Sequence, residues 1–500
     1  MWLKLLPVGV VLVLAVACSG SDDGAAPTAS TSAAPSTSTV PSTTAAVSTT
    51  TTSTAPISDL VITGPITAGS RGGPSTATPF DLEGAGYIEE EFLLSGEAVS
   101  YRPDGEFGPE GDWTVEQDEE AAFTTRLLVR RPADATGFSG TVLVEWFNVS
   151  SNVDVDVEFG FVAEEILRSG DVWVGVSAQE IGITSSEGGD FGADALGLVA
   201  WDPERYGELE HPGDAFSYDI FSRAGEAVRN PAGSDLLADF DVEQVLAIGE
   251  SQSAFRLLTY VNAVHPLADV YDGFLIHSRD GGGAPLAAGV DVPGVSAVRD
   301  DLTVPVLQLV SETDLYGLRP TAPFPEARQP DTDTIRTWEM AGTAHADAHY
   351  LASLYEQGTQ NFDSFLDLTG VVPIANNGPQ HWIAKAALRE LRAWASGTSV
   401  PPTADPITTA DGAIVRDEHG NARGGIRTPH VDVPVATLTG EGTSLIGSTT
   451  PFAPETIARL YPSEDDYLAT FAAALDRAVE SGFILADDRE AVLADAVFPG

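Results

Sequence analysis

The chain is 500 residues long, enough for a large core and for roughly two or three domains, and it carries 74 Asp and Glu against 25 Lys and Arg, a formal net charge of −49. Such a field repels nucleic acid and anionic membrane surfaces and favours neutral or cationic small molecules, unless it serves adaptation to salty surroundings. The single cysteine, Cys18, excludes an intrachain disulfide and leaves no thiol for a metal site or a nucleophile in the body of the chain.

In chain order, Met1–Ala17 comes first. Lys4 is a minimal positive region, and the apolar run from Leu5 to Ala17 is short for a membrane span, the pattern of a signal peptide. It ends in Ala15-Val16-Ala17-Cys18, small residues before a lone cysteine, which resembles the lipobox of bacterial lipoproteins; Ala15 stands where leucine is usual. Cleavage there makes Cys18 a lipidated N-terminus. Ser19–Pro56 is almost wholly Ser, Thr, Ala, Pro and Val, with Asp22 and Asp23 as its only charges. Without apolar periodicity it cannot build a core and reads as a tether. The predicted organisation is a signal peptide over 1–17, a lipidated cysteine and linker over 18–56, and one elaborated domain over 57–500, anchored to the membrane on its extracytoplasmic side.

From Ile57 the composition is globular. Asp59–Thr63, Tyr87–Leu94 and Phe123–Arg130 are strand-like, a β-rich N-terminal extension. Strands and helices then alternate. Thr141–Trp146 and Asp171–Ser177 are apolar strands flanking a helix over Phe161–Arg168. Ile220, Phe221, Ala224 and Val228 recur at helical spacing within Tyr218–Arg229. Val245–Ile248 is a short buried strand, followed by a second helical stripe at Ala254, Leu257, Leu258 and Val261. Tyr271–His277, Val304–Val310 and Thr334–Met340 are later strands. Short apolar runs separated by amphipathic helices predict an α/β fold, a mostly parallel sheet with helices on both faces. Ala178–Gly213, rich in Gly, Asp and Glu, is an expected excursion near the site. Residues 351–394 are partly helical, ending in Ile383–Ala395. An elaborated C-terminal region follows, with helices near Glu455–Leu460 and Glu464–Ser481.

Gly249-Glu250-Ser251-Gln252-Ser253 sits between the strand Val245–Ile248 and the helix that starts near Ala254. A sharp strand-to-helix turn lifts a serine hydroxyl above the sheet edge, and small residues two places either side let strand and helix approach closely. Ser251 is therefore the candidate nucleophile. A serine hydroxyl needs a base, and the base needs a carboxylate to orient it. His345 lies just past strand Thr334–Met340, and Asp314 and Glu312 lie just past strand Val304–Val310. Asp314 is the first choice for the acid and Glu312 the alternative. His381, at a helix start, competes with His345 for the role of base; His277 could line the pocket. An oxyanion needs two preorganised N–H donors. Gln252 supplies one through its backbone, and the loop after Thr141–Trp146, Phe147-Asn148-Val149, is expected to supply the other.

These residues and several further stretches resemble, in order, a family of bacterial proteins described only as α/β-hydrolase domain-containing. They are Val144-Glu145-Trp146-Phe147-Asn148-Val149-Ser150, Trp201-Asp202-Pro203-Glu204-Arg205-Tyr206, His211-Pro212-Gly213-Asp214, Gly249 to Ala254, Asn262-Ala263-Val264-His265-Pro266, and Gly420 to Pro429. The likeness covers nearly all of residues 57–500. It implies the α/β-hydrolase fold, makes Gly-x-Ser-x-Ser an expected variant of the turn, and supports Ser251. The expected function is hydrolysis of a small ester or acyl substrate, with no metal or organic cofactor. An amidase, peptidase or lipase on the same three groups, or a non-catalytic lipoprotein that binds envelope components, are the alternatives. The N-terminal reading has its own test: metabolic labelling with a tagged fatty acid should mark the wild-type protein in a bacterial host and leave Cys18→Ser unmarked.

Overall fold

A computed structural model describes residues 60–231, 233–317, 322–442 and 444–499. The proposed signal peptide, Cys18 and the tether lie outside the described residues.

The centre is a nine-stranded sheet: β1 (Val61–Thr63), β2 (Tyr87–Pro103), β3 (Val115–Pro132), β4 (Thr141–Trp146), β5 (Val172–Val176), β6 (Gln244–Glu250), β7 (Gly273–His277), β8 (Val306–Ser311) and β9 (Ile335–Met340). The spatial order is β1-β2-β3-β5-β4-β6-β7-β8-β9. β4 to β9 run parallel, while β1, β2 and β3 pair antiparallel and extend one edge. This is an α/β-hydrolase architecture, with the β-rich N-terminal extension and the added C-terminal elements that the sequence pattern predicts.

Every residue of β4 and β6 is buried. The strand period of two then sends neighbouring side chains to opposite faces. Val142, Val144, Val245 and Ala247 join one core, packed under helices Ser217–Arg229 and Gln252–Thr259 through Ala224, Val228, Leu257 and Leu258. Leu143, Leu246 and Ile248 join the other, under helices Val157–Ser169, Ala348–Asn361 and Gln380–Ala395. A sheet buried on both faces has no polar face to show, which is why these strands read as continuous apolar runs.

The chain goes from β4 outward to β5, then returns to the other side of β4 with β6. Open parallel sheets form a crevice at their carboxyl ends where the order reverses in this way. The loops after β4 and β6, which carry Phe147, Asn148 and Ser251, leave the sheet at that crevice.

The antiparallel hairpin is longer than its sequence suggests. β2 and β3 span 17 and 18 residues, where apolar alternation marks only Tyr87–Leu94 and Phe123–Arg130. Part of the inward face is ionic. Arg126, with no exposed side-chain surface, bonds to Glu91 at 3.1 Å, Asp154 at 2.8 Å and the Ser75 carbonyl at 2.8 Å. Arg130 pairs with Glu89 and Asp156 and stacks over Phe159 and Trp173. Glu145, on β4, accepts from the Glu158 and Phe159 amides and from Trp173 Nε1, each at 2.9 Å, so a buried carboxylate caps helix Val157–Ser169 from the sheet side.

Residues 420–429 run beside β9, where the Ile426 amide donates to Glu339 O at 2.7 Å. Gly425 has φ +67°, and a Cβ there would lie 2.8 Å from that same Glu339 carbonyl, so close approach requires glycine. Helices Pro454–Leu460, Glu464–Glu480 and Arg489–Ala494 build a separate apolar cluster with Trp382 and Val433. Among the described residues no helix is long and apolar enough to cross a membrane.

Removing one partner from a buried ion network strands the others without solvent. Arg126→Met should lower the stability of the folded domain by about 3–5 kcal/mol, read as a fall in the urea midpoint with no change in m-value.

Candidate active site

Ser251 occupies the one-residue junction between β6 and helix Gln252–Thr259, at φ +61° and ψ −119°. That region is sterically costly for a residue with a Cβ, about 1–3 kcal/mol. It is held from both sides. The Ser251 amide donates to His277 O of β7 at 2.9 Å. A Cβ on Gly249 would lie 2.9 Å from Ser253 Cβ and 3.1 Å from Leu257 Cδ1, so the crossing tolerates nothing larger than glycine there. Ser253 is fully buried in the contact.

His345 sits in the turn after β9. Its Nε2 is 2.7 Å from Ser251 Oγ, and its Nδ1 is 2.8 Å from Asp314 Oδ1. Asp314 stands in the short helical turn Thr313–Leu315 after β8, and its Oδ2 accepts from the Ser311 amide at 2.9 Å and the Ser311 hydroxyl at 2.8 Å. A carboxylate held on one oxygen can accept Nδ1–H with the other. That leaves Nε2 as an acceptor for the serine proton.

Glu312, the alternative acid, makes different contacts. Its Oε1 accepts from the Gly342 amide at 2.7 Å, and its Oε2 accepts from the Gly440 amide at 3.2 Å and pairs with Arg416 at 3.3 Å. Burial raises its pKa, against the opposing pull of Arg416 and the two amides. Glu312 clamps the turn that carries His345. Gln380 Nε2 donates to Ala344 O at 2.8 Å and Asn376 Nδ2 to Gly342 O at 3.1 Å, and both brace the same turn. Neither residue carries a motif that would single it out in sequence.

The other histidines are engaged elsewhere. His277 Nδ1 is 2.8 Å from Glu158 Oε2; burial pulls its pKa down, but Glu158, together with Asp314 and Gln380, leaves it raised. His381 stacks on His349 with ring centroids 3.8 Å apart and shares a pit with His430 and Asp495, away from the Ser251 cleft. Burial lowers the pKa of both stacked imidazoles.

The backbone bonds narrow the expected oxyanion donors. The Phe147 amide donates to Val176 O at 3.3 Å and the Asn148 amide to Val155 O at 3.0 Å, so both are spent on the protein's own carbonyls. The Val149 amide donates to a side chain instead, to Gln252 Oε1 at 3.4 Å. Asn148 serves through its side chain, donating from Nδ2 to Glu250 O at 3.3 Å and accepting from the Ser150 amide at 2.9 Å. The Gln252 amide is the first of its helix and has no intrahelical acceptor. Its side chain is tied down: Nε2 donates to Gln179 Oε1 at 2.7 Å, which also accepts from Trp146 Nε1 at 3.0 Å. The 178–213 excursion supplies that tie. His211 Nε2 donates to Ala178 O at 3.0 Å, and Asp214 accepts from the Glu180 amide at 2.9 Å and from Arg256 at 3.0 Å.

Ser251 and His345 open into a cleft of about 640 Å³, its mouth included. Val155, Val157, Phe191, Leu351, Leu354, Leu366, Leu368 and Leu445 make its walls apolar, and Tyr350 and Glu250 also line it. These lining residues come from the segment between β4 and helix Val157–Ser169, from the excursion, from helix Ala348–Asn361 and from the loops beyond it. Sequence reasoning did not name them, because no local pattern connects them.

The alpha/beta hydrolase domain family matches residues 62–494. No curated protein matches the chain. Among solved structures, an α/β serine hydrolase without a lid from Xanthomonas campestris aligns at 13% identity, over 53% of this chain and 92% of that one, with a TM-score of 0.26. A thermostable esterase from Pseudomonas putida aligns at 14% identity, over 48% of this chain and 68% of that one, with a TM-score of 0.23. At such scores neither likeness bears on the reaction.

Two residues past His345, fully buried Asp347 accepts from the Tyr350 amide at 2.9 Å and caps helix Ala348–Asn361; burial lifts its pKa to about 7. The folded state therefore holds a proton that the unfolded carboxyl, near about 4, releases. Stability should fall as pH rises between those values and level off above, at a slope of up to ~1.4 kcal/mol per pH unit. Asp347→Asn keeps the cap and removes this titration, so thermal melts should show the variant gaining on wild type from pH 5 to pH 8.

Proposed function

The chain belongs to the α/β-hydrolase domain family, and on that premise we propose that it hydrolyses carboxylic esters with Ser251 as nucleophile, His345 as base and Asp314 as the acid that orients the imidazole. The observation that carries this reading is the continuous chain of hydrogen bonds from Asp314 through His345 to Ser251, at 2.8 and 2.7 Å, ending at the floor of an apolar cleft.

The chemistry follows from those positions. Ser251 Oγ attacks the ester carbonyl carbon while its proton passes to His345 Nε2. Charge that develops on the carbonyl oxygen is met by the backbone N–H of Gln252, joined by that of Val149 once its long bond to the Gln252 side chain gives way to the substrate, and the positive end of helix Gln252–Thr259 adds to the field. The ester C–O bond then breaks, and the imidazolium gives its proton to the departing alcohol. Water attacks the acyl-serine, His345 takes a proton from it, and the acid leaves as Ser251 recovers its hydrogen. Asp314 stays ionised and stabilises the imidazolium at both stages. Every step draws on groups of the chain itself. A lipid at Cys18 would hold this chemistry at the outer face of the cell membrane, on the 18–56 tether.

Wild-type protein should hydrolyse short p-nitrophenyl esters and take up a fluorophosphonate probe. Ser251→Ala should lose both; labelling that survives in that variant overturns the assignment of the nucleophile. Asp314→Asn should lower kcat by about 10³–10⁴. Glu312→Gln should instead act mainly on melting temperature, because its carboxylate touches the turn and not the imidazole.

A further inference from the structure

The cleft at Ser251 has two unlike parts. Besides Ser251 and His345, the polar residues along it are Tyr350 and a group from the loop after β4 and the nucleophile turn: Asn148, Ser150, Ser151 and Glu250. The rest of the described lining is aliphatic or aromatic. Three backbone bonds fix these walls before any ligand arrives. The Val155 amide donates to Asn148 O at 2.9 Å, the Leu366 amide to Phe191 O at 2.8 Å and the Ala346 amide to Leu445 O at 2.9 Å. A preformed apolar wall gains free energy for each methylene it takes from water and loses little entropy on filling. A second, smaller cavity of about 240 Å³, its mouth included, adjoins the first. Thr78, Phe80, Phe159 and Gln357 belong to it alone, while Val155, Tyr350 and Leu354 line both. Those three side chains are the partition. Tyr350 is pinned by stacking on Phe161, with ring centroids 5.2 Å apart, and Val155 by its backbone pair with Asn148. Leu354 is the part of the partition set by side-chain size alone.

We propose that this cleft is an acyl-chain pocket closed at its end by Leu354, and that its substrates are esters of linear aliphatic acids whose length that side chain limits. The inference rests on the reading of the site as an esterase and names the substrate class. The buried arm is the acyl one. The alcohol must clear His345 Nε2 before water can attack the acyl-serine, and a chain anchored in a closed pocket clears it slowly. The acyl arm stays bonded to Ser251 Oγ through both steps, so its burial favours both transition states. Each methylene fully taken up is worth about a fourfold gain. A chain that has reached the partition must displace Leu354 or fold back into solvent, and there the gain stops.

The test measures kcat/KM for p-nitrophenyl esters from acetate to laurate, each kept below its micellar concentration. The wild-type value should rise by about tenfold or more from acetate to hexanoate and fall again by laurate. Leu354→Ala should move the maximum to longer chains by about two carbons, and Leu354→Phe should move it to shorter ones. Damage to the fold would not shift the maximum in opposite directions, and either variant decides the matter if the other does not fold. A maximum at acetate, or one that no folded variant moves, overturns the pocket. Ethyl hexanoate and hexyl acetate are isomers that put the same chain on opposite sides of the ester. Ethyl hexanoate should be the better substrate by about tenfold; equal or faster turnover of hexyl acetate overturns the acyl assignment. A further arm does not depend on turnover: calorimetric titration of Ser251→Ala protein with butanamide, hexanamide and octanamide. Affinity should tighten by about tenfold for each added pair of methylenes, and adding Leu354→Phe should weaken octanamide most. Wild-type protein inert to every ester while this length dependence holds would refute the esterase reading and leave the pocket standing. Hydrolysis and binding that both ignore chain length would overturn the pocket and leave the esterase standing.

Discussion

At Gly249 and Ser253 the backbone of β6 and the first turn of the next helix come so close that a methyl group on the glycine would meet the serine Cβ at 2.9 Å. This contact forces the chain to turn within one residue, and that residue is Ser251, at φ +61°. The strain of a Cβ-bearing residue in that region is offset by burial on both sides and by the bond from its amide to His277 O. The side chain then has one direction left, outward over the carboxyl end of the sheet. His345 and Asp314 reach it because β8 and β9 end on the same edge and release their turns there. Close packing at one crossing thus sets where the hydroxyl points, and parallel strand order sets what meets it.

Around this point, buried carboxylates act mainly as clamps on the backbone. Glu145 caps the helix that begins at Val157, Glu312 holds the Gly342 and Gly440 amides, and Asp347 caps the helix after His345. Each removes unpaired N–H groups from a loop that would otherwise need water. The arginines Arg126 and Arg130 play the matching part in the antiparallel hairpin, where they neutralise Glu91, Glu89, Asp154 and Asp156 inside the protein. In so acidic a chain the few cations are spent largely on such internal pairs.

The parallel strands were legible because burial on both faces makes each a short apolar run, and the runs at Thr141–Trp146 and Val245–Ile248 fall within a residue or two of the observed strands. The antiparallel hairpin was only half legible. Its inward positions include Glu91, Arg126 and Arg130, and a pattern of hydrophobicity cannot recognise an ion pair as core. The sequence offered Phe147, Asn148 and Val149 together as the oxyanion loop and could not choose among them, since the Phe147 and Asn148 amides are consumed by Val176 and Val155, a pairing made across the chain and invisible along it. Glu250 was written in the motif itself, but only the fold shows that its carboxylate turns back to His345 Nε2.

The sequence by itself determined the alternation that yields a parallel sheet, the small residues that permit a tight turn, the serine at that turn, and the order in which carboxylate and histidine follow it. These are local properties: propensity, spacing and residue size act within a few positions. Tertiary structure alone brought Asp314 rather than Glu312 to the imidazole, assembled the apolar cleft from segments between residues 148 and 445, and placed Glu250 beside the same ring. Those outcomes depend on which atoms share a few ångströms after remote segments have packed, and a carboxylate two residues from another differs from it in sequence by almost nothing.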